Sequence, residues 1–124
     1  MHPLLPVMIG GASGAALRYL VGGAVSARLG AAFPYGTLII NVVGGLLMGV
    51  LAGLIARGHA GETTRLLLGV GVLGGFTTFS TFSLDCWRLI ESDNLGLAFG
   101  YMALSVLGAL AALVFGLWCV RIVT

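Results

Sequence analysis

Ten consecutive residues, Gly74-Gly75-Phe76-Thr77-Thr78-Phe79-Ser80-Thr81-Phe82-Ser83, hold five hydroxyls, three phenylalanines and a glycine pair inside a stretch that is otherwise hydrocarbon. A hydroxyl in apolar surroundings is costly unless it finds a partner, and paired glycines with clustered Thr and Ser are poor material for an unbroken helix. The run therefore predicts a broken helix lining a narrow polar path. Its spacing is threefold: Phe76, Phe79 and Phe82 form one strip, Thr77, Ser80 and Ser83 a second, Thr78 and Thr81 a third, and positions three apart are neighbours on a helix surface. Aromatic rings carry a negative face and a positive edge. Ring edges beside hydroxyl and amide donors suit an anion travelling without water, whereas a phenylalanine strip alone is core packing. The same break frees backbone carbonyls between Gly74 and Thr77. Such carbonyls either coordinate a cation such as Na⁺ or are capped by the threonine hydroxyls. One subunit offers few oxygens for a cation, and two copies about a twofold axis double the number.

The elements that must position this run are membrane-spanning. Hydrophobic residues make up 59% of the 124 residues and charged residues 8%. A crossing needs about 20 apolar residues to traverse about 30 Å of hydrocarbon, so the chain holds four crossings in a single domain with no separate soluble part. Turn and charge signals place the spans at about 4–27, 37–56, 64–89 and 95–120, separated by Phe33-Pro34-Tyr35-Gly36, Arg57-Gly58-His59 and Glu91-Ser92-Asp93-Asn94. The opening Met1-His2-Pro3-Leu4-Leu5-Pro6 lacks the basic leader of a secretory signal, so the first span is expected to stay. Cys86 and Cys119 are isolated in apolar stretches and read as packing residues.

Orientation is left open by charge. There are six arginines and no lysines. Arg57, Arg65 and Arg121 belong to the side of the termini, and Arg18, Arg28 and Arg88 lie nearer the other. Because basic residues orient membrane proteins, an even split allows insertion both ways and pairing as an antiparallel homodimer. Small residues four apart let helix backbones approach closely: Gly10 and Gly14; Gly45, Gly49 and Gly53; Gly71 and Gly75; Gly96 and Gly100. In the second span the ridge begins with polar Thr37 and Asn41 before it turns to glycine. Asn41 suits either an interhelical hydrogen bond or an amide facing a ligand.

Three segments carry a family resemblance: Gly10-Gly11-Ala12-Ser13-Gly14-Ala15-Ala16-Leu17-Arg18-Tyr19, Gly36-Thr37-Leu38-Ile39-Ile40-Asn41-Val42-Val43-Gly44, and the Gly74 to Ser83 run. Together they resemble the Fluc (CrcB-type) fluoride channels, in order over the first three helices, and the fourth agrees in length and character. The resemblance implies an all-α dual-topology antiparallel homodimer in the plasma (inner) membrane of a prokaryote, with two fluoride pores and a central structural Na⁺. It implies that Phe79 and Phe82 are the pore aromatics, that Asn41 and Ser80 bear on fluoride passage, and that Gly74 and Thr77 hold Na⁺ by backbone oxygens. Thr81 and Ser83 would join the polar lining. Thr37, Tyr101, Ser105 and Arg18 are weaker candidates, Arg18 either drawing anions into a vestibule or snorkelling near a helix end. Asp85 stands where the family usually has glutamate, and its spacing to Arg88 equally suits a surface ion pair. Phe76 inherits no pore role and is expected to pack.

The implied activity is passive export of fluoride, protecting the cell. The sequence has no Walker glycine loop and no metal-ligand spacing, so neither an enzyme nor a nucleic-acid partner is expected. Two rivals are a small dual-topology proton-coupled transporter and a structural membrane adaptor. The first lacks the acidic residue such transporters carry in their first span, and the second leaves the hydroxyl run without a purpose.

Overall fold

The computed structural model describes residues 2–124. Four long helices are apolar enough to cross a membrane: α1 (Leu4–Leu29), α2 (Tyr35–Ala56), α3 (Glu62–Glu91) and α4 (Leu95–Val123). Among the described residues there is no strand, and the chain is an all-helical, multi-pass membrane protein. Each helix outruns its predicted span by a few residues: Arg28 and Arg121 lie in the last turns of α1 and α4, Tyr35 opens α2, and Glu62 and Glu91 bound α3, while Arg57 caps the end of α2. At 1.5 Å per residue the 29 residues of α4 extend about 44 Å, beyond the hydrocarbon layer, so its Trp118 and Arg121 come to the membrane surface.

The helices pair by shape, since lipid gives apolar side chains no reason to leave it. The α1 helix packs on the first half of α3, and α2 packs on α4. At each contact glycine removes the side chain that would hold the backbones apart. A Cβ on Gly14 would meet the Val72 carbonyl, one on Gly49 the Leu113 carbonyl, and one on Gly116 would lie 2.5 Å from the Leu46 carbonyl. Gly96 and Gly100 depart from this pattern, for a Cβ on either would meet nothing within 4 Å. Their face of α4 points away from the rest of the subunit, so that pair packs no helix here.

The third helix is broken as the hydroxyl run predicts. Its first half runs to Phe76, Thr77 and Thr78 are extended at ψ 157° and 120°, and helix resumes over Phe79–Glu91. Upstream, Arg65–Leu73 is wound in the wider π form, which sequence periodicity did not reveal. Tight loops join the spans, each through a residue of positive φ: Gly30 at 82°, Gly58 at 77° and Asp93 at 58°.

Candidate functional site

The break is built around Thr78. Its N–H donates to Asn41 Oδ1 at 2.9 Å, and its carbonyl accepts from Asn41 Nδ2 at 3.1 Å. A primary amide matches one peptide unit, donor to acceptor and acceptor to donor, so Asn41 replaces the helical partners that Thr78 forgoes. The Thr78 hydroxyl then caps the second half-helix by accepting from the Thr81 N–H at 3.1 Å, as N-cap residues do. On the other side of the break the Thr77 hydroxyl donates to the Leu73 carbonyl at 2.8 Å, and Arg18 Nε donates to the Gly75 carbonyl at 3.0 Å. Thus Arg18 neither snorkels nor stands free; it ties α1 to the break.

These bonds decide the fate of the carbonyls expected to hold a cation. In a continuous helix Gly74 O would accept from the Thr78 N–H and Thr77 O from the Thr81 N–H. Asn41 and the Thr78 hydroxyl take those two donors. Gly74 and Thr77 thus lose those two donors, and Gly74 is exposed at the subunit surface. The threonine hydroxyls cap elsewhere, at Leu73 and at Thr81.

Two cavities meet at Thr78, which lines both. One, of about 390 Å³, is a polar vestibule among α1, α2 and the second half of α3, lined by Arg18, Thr37, Thr81, Asp85 and Arg88 among others. The other, about 370 Å³, is a largely apolar groove between α2 and α4, with Asn41, Phe79, Phe82 and Ser105 on its walls. Ser105 is buried, and its hydroxyl has no hydrogen-bond partner among the described residues. A buried orphan hydroxyl facing a groove is an available donor.

The aromatic strip does not survive intact, because the break lies between its first and second members. Phe76 is buried before the break and serves packing. Phe79 and Phe82 remain paired at 5.6 Å between centroids. Phe82 is 9% exposed and Phe79 is 78% exposed, so one ring belongs to the subunit core and the other projects from it. Phe82 continues into Tyr101 at 5.2 Å, and Tyr101 into Phe33 at 5.5 Å with the rings near perpendicular.

Tyr101 is fully buried, and its hydroxyl donates to Asp85 Oδ2 at 3.0 Å. Of the two readings of Asp85, the surface pair with Arg88 is not formed. The ion pair found among the described residues is Glu62 with Arg65, while the Asp85 side chain lies against α4 with Arg88 on the same vestibule wall. Of the hydroxyl strip, Ser80 sits 3.3 Å from the Thr78 hydroxyl. Ser83 donates to the Phe79 carbonyl at 2.9 Å, and neither serine lines the two cavities. Thr78 itself had not been singled out from its neighbours. Its spacing of three to Thr81 was the available signal, that of a cap.

The family model described as "CrcB-like protein, Camphor Resistance (CrcB)" matches residues 5–117. A protein of Sphingopyxis alaskensis named "Fluoride-specific ion channel FluC" is 54% identical over 122 residues, covering 98% of this chain and 97% of its own. One of the same name from Caulobacter vibrioides is 54% identical over 123 residues with the same coverage. Another from Nitrobacter winogradskyi is 48% identical over 121 residues, covering 97% and 96%. With the match running through all four helices and across the break, this chain belongs to the CrcB-like family.

Proposed function

We propose that this protein is a fluoride-selective channel that lets fluoride leave the cell passively, as the names of its relatives suggest. The observation that carries the reading is the Thr78 junction, where a polar vestibule and an apolar groove share one residue inside a helix break. Fluoride is small and strongly hydrated, so a pore must replace its water with donors in a tight file. The arginines of the vestibule raise the local concentration of anions. Beyond it, Asn41 keeps one amide hydrogen after bracing Thr78, the Thr78 and Ser80 hydroxyls, bonded to each other, leave one proton between them, and the Ser105 hydroxyl has its own to offer. The edges of Phe79 and Phe82 supply the remaining positive potential along the groove. No catalytic step enters this reading.

The working unit in this proposal is an antiparallel homodimer in the inner membrane of a prokaryote. Its support is the exposed Phe79 ring beside an open groove and the near-even split of arginines, with Arg57, Arg65 and Arg121 at one end of the bundle, Arg28 and Arg88 at the other and Arg18 at the break. A second copy would cover Phe79 and bring the exposed Gly74 backbones together. Gly74 and Thr77 of each copy would hold Na⁺ there; hard carbonyl oxygens without helical donors are a fitting set. Bound Na⁺ supplies fixed positive charge and a link between the copies.

The test is efflux from liposomes loaded with potassium fluoride or potassium chloride, with valinomycin to relieve voltage. Fast fluoride release, little chloride release and indifference to an imposed pH gradient are expected. Release that stops without a proton gradient would replace the channel with a coupled exchanger, and no release from folded protein would sink the reading.

A further inference from the structure

A second site lies at the other end of the α2–α4 pair, remote from the break. There a cavity of about 560 Å³ is bounded by Arg57 at the end of α2 and by Trp118 and Arg121 in the last turns of α4, with Val114 and Leu117 below them. Both arginines are exposed. Arg57 Nη2 donates to the Arg121 carbonyl at 3.5 Å, which draws the Arg57 head across to the end of α4. Neither arginine pairs with a carboxylate among the described residues, where the ion pair is Glu62 with Arg65. Two cations thus converge on one cavity without a counter-ion. The wall beneath them is hydrocarbon and largely exposed: Val114 is 54% and Trp118 55% exposed.

Depth fixes what can occupy such a place. Arg57 and Arg121 close spanning helices, so their heads stand at the headgroup level and the apolar wall at the level of the acyl chains. A free anion would satisfy the arginines and leave the wall bare; a neutral lipid would cover the wall and leave the charges unmet. We propose that this cavity is a binding site for an anionic phospholipid, its phosphodiester between Arg57 and Arg121 and an acyl chain along Val114, Leu117 and Trp118. Basic pockets between membrane helices take acidic headgroups by this combination. The alternative role of the two arginines is to cap the carbonyl ends of α2 and α4, which requires no lipid and no headgroup preference. The site does not depend on the pore reading.

The purified protein in neutral detergent is titrated with phosphatidylglycerol or with phosphatidylcholine of the same acyl chains. Bound lipid is counted by native mass spectrometry, and thermal melting is followed alongside. Preferential retention of phosphatidylglycerol is expected. In Arg57→Gln/Arg121→Gln that preference falls on the order of tenfold, and in Arg57→Lys/Arg121→Lys, which keeps point charges for the phosphate, most of it remains. Should the double glutamine variant fail to fold, Arg121→Gln alone carries the same readout at a smaller size. Equal retention of the two lipids by the unaltered protein overturns the proposal, as does an undiminished preference in the glutamine variants. Displacement of the lipid by millimolar inorganic phosphate would make this a free-anion site. Absence of any bound lipid would mean another protein surface covers it, and either result overturns the lipid assignment.

Discussion

At Thr78 the chain departs from helical geometry in surroundings where every unpaired peptide group is penalised, and Asn41 is what makes the departure tolerable. Removing the amide leaves a half-buried N–H and carbonyl without partners, each costing up to about 1–3 kcal/mol. Asn41→Ala should therefore lower the melting temperature and abolish fluoride flux together. Asn41→Asp keeps the acceptor for the Thr78 N–H but loses the donor to its carbonyl and places negative charge on the groove. It should fold better than the alanine variant and still fail to conduct; conduction by either variant would show that the bracing amide is dispensable. Phe82 separates the two roles differently. Its ring is buried against Tyr101 and faces the groove, so Phe82→Ile keeps apolar bulk while removing the positive edge, an interaction worth about 1 kcal/mol. Fluoride flux should fall about fivefold while the protein still folds with a modest drop in melting temperature; unchanged flux would remove the aromatic edge from the mechanism. Residue types in the run made the break legible, because hydroxyls clustered beside a glycine pair are poor material for an unbroken helix. Partners were not legible: nothing in the spacing of Asp85 and Tyr101, sixteen apart on different helices, indicates that one hydroxyl meets the other's carboxylate.

Helix pairing carries the next scale, and here the glycine spacing was informative where two backbones must touch. Gly10, Gly14, Gly71 and Gly75 join α1 to α3, while Gly45, Gly49 and Gly116 join α2 to α4. Spacing alone could not say which glycine pair faces which helix, or that Gly96 and Gly100 face none within the subunit. The π winding of Arg65–Leu73 also escaped a reading based on 3.6 residues per turn. The pairing makes a graded prediction. At Gly49 an added Cβ collides with the Leu113 backbone, which cannot rotate away as a side chain can. Gly49→Ala should force α2 from α4 and lower stability by roughly 1–3 kcal/mol, the usual cost of overpacking. At Gly23 the same methyl meets nothing within 4 Å, and alanine is the better helix former by about 1 kcal/mol. Gly23→Ala should hold or raise the melting temperature. Equal losses at both positions, read by thermal unfolding in detergent, would show that close backbone approach is not what the glycines provide.

At the scale of the whole molecule, the proposed dimer would complete what a single copy leaves open. Its groove is open beside a phenylalanine ring that is 78% exposed, and its Gly74 backbone faces outward. In the proposed dimer a second copy would cover both features, and the arginines bear on how that copy would be oriented. With Arg57, Arg65 and Arg121 at one end of the bundle and Arg28 and Arg88 at the other, insertion has little preference, because loop basicity is what sets topology. On the proposal, an antiparallel pair would then assemble from one gene product inserted both ways. The argument turns into a test by spoiling the balance. Replacing His59 and Ala60, in the short loop after α2, by arginine adds two positive charges to the end that carries the termini. Nearly all copies should then insert with that end inside, as a C-terminal topology reporter would read. Antiparallel partners become scarce, and fluoride resistance conferred on a sensitive cell should drop. Arginines introduced instead at Asp93 and Asn94, in the loop at the opposite end, should drive insertion the other way and weaken resistance equally. Producing both variants in one cell supplies each with its missing partner, so resistance should return. Full resistance from either variant alone would mean that parallel subunits suffice.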